Sequence, residues 1–395
     1  MAHLDSCASH LIWTSLQATI WLLPHLRIAM NMPFLHLAKL PVFAASALLL
    51  PLCTLSAQTT GSAQTAAPLT QAQIFQQLDP QMAVVVKLWD VIKGTPITQL
   101  SPQKARQQFA PQDAVKIIAR ASGKAEEPMS VMKVQDGLTI PGSDGNQIPI
   151  RIYTPQGKGP FPVVLYFHGG GFVIATIDTY DASARAIADY SRAIVVSVEY
   201  RKAPEAPFPA ALDDAIASYK WVINNMSRYN GIETKVALAG ESAGGNLAAE
   251  VAIAARDERL QQPTHQLLIY PETTSNLNQP SDLMYTDSSL PLTRGALVYL
   301  DNLYLSNPSE AGTPRVAPLN NDLHKLAPAT IIAAQIDPLV SDGMDYANKL
   351  HAAGNPVAYQ LYTGVTHEFF GMGAVVDKAK AAEEFGGARL AASFR

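Results

Sequence analysis

From about residue 131 onward, short apolar runs alternate with amphipathic stretches, and the two periodicities separate cleanly. Runs near 131–140, 147–153, 163–167 (VVLYF), 194–198 (IVVSV), 236–239 (VALA), 266–270 (QLLIY), 329–335 (ATIIAAQ) and 357–363 predict strands, eight in all. Stretches near 180–191, 210–226, 243–256, 341–353 and 377–394 predict the helices between them. The first two strands read as a hairpin about Gly142-Ser143-Asp144-Gly145. The β–α alternation that follows implies an α/β fold with a mostly parallel sheet and helices on both faces.

Three stretches depart from that rhythm. Residues 58–73 are Gln/Thr/Ala-rich and uncharged, which predicts a flexible lead-in. Helical patterning over 71–122 is broken at Pro80, Pro96, Pro102 and Pro111, which predicts several short helices. Residues 275–325 are polar and helix-prone, inserted between two strands in the manner of a lid or cap.

The N-terminus follows another pattern. Pro41 to Leu55 is an uncharged apolar run of 15 residues, short of the ~20 a spanning helix needs. His36 and Lys39 precede it and Leu55-Ser56-Ala57 follows, which together describe a secretory signal peptide cleaved after Ala57. Residues 1–57 are therefore read as a leader, with the true start at Met30 or Met32, and as export to a periplasmic or extracellular space. No stable membrane insertion is expected after cleavage; a retained N-terminal anchor is the alternative. The only two cysteines, Cys7 and Cys53, both fall in the leader, so the exported chain has no thiol.

Composition narrows the function classes. The 395 residues are 48% hydrophobic and 16% charged with a formal net charge of −4, which excludes a disordered chain. A faintly acidic chain without a Lys/Arg cluster has no electrostatic footprint for nucleic acid. No repeat of fixed period is present.

The chemistry sits in three places. Gly240-Glu241-Ser242-Ala243-Gly244 is a G-x-S-x-G sequence between an apolar strand and an Ala-rich helix, the strand–turn–helix setting of a nucleophilic serine. His168-Gly169-Gly170-Gly171 follows the strand VVLYF and can aim bare backbone N–H groups at a developing oxyanion. A phosphate loop or an ordinary turn is the alternative, although both phosphate-binding glycine spacings are missing. A general base must come later in the chain. Among His265, His324, His351 and His367, the last lies in a loop after a strand (GVTHEFF) where it can reach the serine. For the acid, Asp337 follows the strand ATIIAA directly, with Asp342 as its competitor. His367-Glu368 opens like a zinc motif, but Gly371 stands where the second histidine would be, so no metal or other cofactor is expected.

These blocks, with Glu199-Tyr200-Arg201-Lys202-Ala203-Pro204-Glu205 and Phe208-Pro209-Ala210-Ala211-Leu212-Asp213-Asp214, resemble the hormone-sensitive-lipase-like branch of the α/β-hydrolase esterases over roughly 75–395. The resemblance implies an α/β-hydrolase fold over 131–395, and a helical cap built from 74–130 and the 275–325 insertion. It implies an oxyanion hole made by Gly170, Gly171 and the N–H of Ala243. His168 and Gly169 would support that loop without taking part in the reaction. It also implies a serine hydrolase acting on short- to medium-chain carboxylic esters. An amide or peptide hydrolase with the same triad, a non-catalytic ligand-binding protein and a surface-adhesion protein are the competing readings. A small ester is the expected partner, and a homodimer is compatible with the sequence. Two positions differ from the branch: Glu241 replaces its usual Asp before the serine, and Glu368 replaces its usual Gly after the histidine.

Overall fold

The computed structural model describes residues 67–125 and 133–395. The leader, with its cysteines and alternative starts, and all of the lead-in before residue 67 lie outside the described residues.

One sheet holds eight strands: β1 (Lys133–Pro141), β2 (Gln147–Thr154), β3 (Phe161–Phe167), β4 (Ile194–Val198), β5 (Gly231–Glu241), β6 (Gln266–Ile269), β7 (Ala329–Ile336) and β8 (Val357–Thr366). Their order is β1-β2-β4-β3-β5-β6-β7-β8. The hairpin pair β1–β2 and the pair β2–β4 are antiparallel; the remaining pairs are parallel. β5 starts earlier than VALA because Gly231 pairs with Phe161, a contact between strands that no local pattern announces.

Alternate side chains of each central strand feed two separate cores, which is why these runs read as continuously apolar. Val163, Leu165 and Phe167 of β3 face one core, with helices α6 (Ala210–Asn225), α7 (Ala243–Asp257) and α10 (Val340–Ala352). Val164 and Tyr166 face the other, with α5 (Asp181–Ser191) and α11 (Asp377–Ser393).

Of the N-terminal helices α1 (Gln71–Gln77), α2 (Pro80–Ile92), α3 (Pro102–Ala105) and α4 (Pro111–Ala121), the first, second and fourth join the second core through Ile74, Met82, Val85 and Ala114. Helix α1 opens inside the stretch expected to be flexible. Thr70 caps it, its side chain accepting from Gln73 N while Gln73 reaches back to Thr70 N. The prolines at 80, 102 and 111 stand at the first turns of α2, α3 and α4, where a missing N–H has no consequence; they start helices rather than break one. Within 275–325 lie two α-helices, α8 (Pro280–Met284) and α9 (Arg294–Tyr304), and two single 3-10 turns at Pro308–Glu310 and Pro318–Asn320. Tyr299 of α9 donates to Leu100 O at 3.0 Å, and Leu69 N donates to Met284 O of α8 at 3.0 Å, so the insertion and the N-terminal segment are tied together.

The register brings the C-terminal ends of the parallel strands level. Phe167 pairs with Gly240, Glu241 with Ile269, and Ile336 with Thr366. In an open parallel sheet that edge is where ligands sit, and His168, Ser242, Asp337 and His367 each stand one residue beyond a strand end.

Candidate active site

Ser242 sits between β5 and α7 with φ 57° and ψ −121°, a left-handed backbone rarely tolerated by a side chain. The turn is possible because its neighbours are bare: a Cβ on Gly240 would lie 2.0 Å from Gly244 O, and one on Gly244 would lie 2.1 Å from Phe167 O. Ser242 N donates to Ile269 O at 2.9 Å, which pins the turn to β6.

His367 follows β8 and Asp337 follows β7, and both are buried. His367 Nε2 lies 3.0 Å from Ser242 Oγ, and His367 Nδ1 lies 2.7 Å from Asp337 Oδ2. The other oxygen, Asp337 Oδ1, accepts from Leu339 N at 2.9 Å, so the carboxylate is held from both sides. Burial alone would pull the His367 imidazole down, yet the adjacent Asp337, together with Glu368 and Glu241, raises it above its ordinary value. With Nδ1 protonated toward Asp337, Nε2 is free to take the Ser242 proton.

The competing candidates resolve by position. Asp342 turns its carboxylate to Thr273 N and Thr274 N, at 2.9 and 3.2 Å, and serves as a cap for that loop. His265 is buried against Thr330 Oγ1 at 2.8 Å, His324 is exposed beside Asp322, and His351 lies in α10.

The loop 168–171 runs beside the elbow. Gly170 has φ 107° and packs where a Cβ would lie 2.3 Å from Ile174 O; at Gly171 it would lie 2.5 Å from Leu300 Cδ1 of α9. Glycine is thus required both by conformation and by space. His168 is buried, stacks on Tyr200 with centroids 4.4 Å apart, and contacts Gly169 O through Nδ1 at 2.7 Å. Burial lowers it to about 4, so it is a neutral brace. Arg106 fastens the N-terminal segment to this loop region through Val173 O at 2.7 Å and Ala203 O at 2.6 Å, with Glu205 as its ion-pair partner.

Both departing glutamates lie near enough to the histidine to act on its charge. Glu241 is fully buried and accepts hydroxyl hydrogen bonds from Tyr166 and Tyr270; burial pushes it up to about 8. Tyr270 also packs on His367, ring centroids 4.5 Å apart. Glu368 has φ 70°, the left-handed conformation that explains glycine at this place in the related branch. Its carboxylate accepts from Tyr180 Oη at 2.6 Å and Gln112 Nε2 at 2.7 Å, and lies 3.9 Å from His367 Nε2. Sequence reasoning missed Tyr166, Tyr180, Tyr270 and Gln112, which sit in strands, loops or helices that read only as core. Tyr166 and Tyr270 mark themselves only once Glu241 is known to be buried.

A serine on a strained strand-to-helix elbow, a histidine and an aspartate from two later strand ends, and a glycine loop beside them define an α/β hydrolase. Comparison with known proteins agrees. A family described by the alpha/beta hydrolase fold matches residues 164–371. An ethyl acetate hydrolase of Pseudomonas putida is 32% identical over 312 residues, covering 76% of this chain and 95% of that one. A carboxylesterase of Mycobacterium tuberculosis is 41% identical over 261 residues, 65% of this chain and 79% of its own length. The crystal structure of an esterase from Pyrobaculum calidifontis superposes with a TM-score of 0.71 at 34% identity, over 80% of this chain and 98% of that one. The chain belongs to the hormone-sensitive-lipase-like carboxylesterase family of α/β hydrolases, and it is a carboxylic ester hydrolase.

Proposed function

We propose that this enzyme hydrolyses short- to medium-chain carboxylic esters through an acyl-enzyme formed on Ser242. The observation that carries the reading is the unbroken run of hydrogen bonds from Asp337 through His367 to Ser242 Oγ, at 2.7 and 3.0 Å. In the first step Ser242 Oγ attacks the ester carbonyl while His367 Nε2 takes its proton. Asp337 orients the ring and stabilises the imidazolium. The backbone N–H groups of Gly170, Gly171 and Ala243 stabilise the tetrahedral oxyanion, each key donor contributing about 3–4 kcal/mol. His367 then protonates the leaving alkoxide, and the alcohol departs. Water attacks the acyl-serine with His367 as base, releasing the acid and restoring the serine.

The elbow supports a covalent route, since its strain holds Oγ out at the sheet edge. The short acyl range rests on the resemblance to an ethyl acetate hydrolase. The similar proteins described above are esterases or ester hydrolases, which favours ester over amide cleavage.

Ser242→Ala is expected to abolish hydrolysis of p-nitrophenyl butyrate while the thermal unfolding profile stays that of the parent. The parent's kcat/KM should peak at or below about eight acyl carbons in a series from acetate to palmitate, with the matching p-nitroanilides turned over far more slowly. Full activity in Ser242→Ala would overturn the assignment.

A further inference from the structure

The glutamate that follows the histidine stands in a place where the backbone favours glycine, and its carboxylate is not left to solvent. Its side chain is 14% exposed, held by the Tyr180 hydroxyl at 2.6 Å and the Gln112 amide at 2.7 Å. Both partners donate, which suits an ionised carboxylate. So held, Oε1 stands 3.9 Å from His367 Nε2, the nitrogen that faces Ser242 Oγ. Asp337 contacts the opposite nitrogen, Nδ1. The imidazole therefore has one carboxylate at each end.

We propose that Glu368 is a positioning residue for ester hydrolysis: its fixed carboxylate is a second counter-ion for His367 and stabilises the imidazolium from the Nε2 side. This rests on the acyl-transfer reading above. When Ser242 gives its proton to Nε2, the new positive charge arises nearest Glu368. At ~4 Å in a partly buried setting an opposite charge stabilises the charged form substantially. The same interaction keeps His367 protonated to higher pH in the resting enzyme. The plateau rate is raised, and the pH at which the free base becomes available moves up.

Other groups face the same ring. Asp337 comes from the end of β7, Ser242 and Glu241 from the end of β5, and Tyr270 from beyond β6. Around Glu368 stand Tyr180 ahead of α5 and Gln112 from α4. Farther out, Tyr166 of β3, Tyr200 after β4 and Glu241 feel its charge or share its surroundings. Glu241 differs from Glu368 in kind. It is sealed between two tyrosine hydroxyls, and burial favours its neutral form. Glu368 is the carboxylate set within 4 Å of the reacting nitrogen.

The test is the pH profile of kcat/KM for p-nitrophenyl butyrate, whose acid limb reports the free enzyme's base. In Glu368→Gln the acid limb should move down by about one pH unit, and the alkaline plateau should fall several-fold. Glu368→Gly relieves the left-handed backbone, so it supplies a folded variant if the glutamine one is unstable, and it should show the same displacement of the limb. A merely structural role would lower the plateau and leave the limb where it is; that outcome in either folded variant overturns the proposal. The proposal's failure is distinct from failure of the acyl-transfer reading, which would show as activity surviving in Ser242→Ala.

Discussion

At the scale of residues, the sequence separates the nucleophile and base from their surroundings better than it separates the acid from its neighbour. Ser242 and His367, which the fold brings to 3.0 Å of each other, stand out in the sequence by their flanks: small residues about the serine, and a loop directly after a strand. Asp337 ranks first in the sequence because it follows its strand directly, but Asp342 stays a competitor, since five residues apart either can sit at a strand-to-helix turn. Geometry separates them. Asp337 holds the imidazole at 2.7 Å, whereas Asp342 caps Thr273 and Thr274. Asp337→Asn should lower kcat by about 10⁴-fold through the wrong histidine tautomer, a magnitude taken from the serine-protease case. Asp342→Asn should leave kcat within a few-fold and lower the melting temperature instead. Initial rates and thermal melts on both variants check this; equal rate losses would contradict it. What the sequence could not reveal was where Glu241 and Glu368 point. A carboxylate near a catalytic histidine in sequence says nothing of its partners, and here those partners are tyrosines and a glutamine far away along the chain.

At the scale of elements, every strand expected from the sequence forms; β3, β4, β6 and β7 are buried on both faces and so carry a continuous apolar signal, whereas β1, β2 and β8 keep exposed positions and show a weaker one. Boundaries were less legible where pairing or capping decides them. β5 is lengthened by its register with Phe161, and residues 71–73, which fall in both the expected lead-in and the expected helical stretch, go to α1 because Thr70 closes a capping box. The N-terminal prolines show the same limit. A proline is a breaker inside a helix and a starter at its first turn, and only the flanking cap residue tells which. Asp79 and Ser101 supply that cap for α2 and α3 through side-chain bonds to Gln81 N and Lys104 N. The segment around α9 was legible only as polar and helix-prone. Its contribution to the site is Leu300 closing over Gly171 and Tyr304 stacking on Phe172 with centroids 3.9 Å apart.

At the scale of the whole molecule, buried titratable groups set the pH range in which the fold is most stable. Glu250 and Glu383 lie away from the triad, and burial pushes them up to about 8 and about 7. A carboxyl raised in the folded state binds its proton more tightly there than in the unfolded chain. Its contribution is full below ~4.5 and is lost as pH rises through the folded value. His168 and His265 work in the other direction. Burial lowers both to about 4, so their contribution is present above ~6.5 and lost as pH falls toward 4. Between pH 6.5 and 8.5 the raised carboxyls, Glu241 among them, and the raised His367 all act in the same direction, each at up to about 1.4 kcal/mol per pH unit. The melting temperature should therefore fall over that range, and Glu250→Gln with Glu383→Gln should flatten the decline. A profile that is level or rising to pH 8.5 in the parent would contradict this.

The central claim is that Ser242 becomes covalently bonded to substrate with His367 as its base, and trapping with diethyl p-nitrophenyl phosphate tests it most directly. Intact-protein mass and peptide mapping should show one diethylphosphoryl group per chain, on the peptide containing Ser242, with one equivalent of p-nitrophenol released and activity lost in step. His367→Ala should be labelled far more slowly, and Ser242→Ala not at all. Label on a different residue, or inactivation with Ser242 unmodified, would contradict the account.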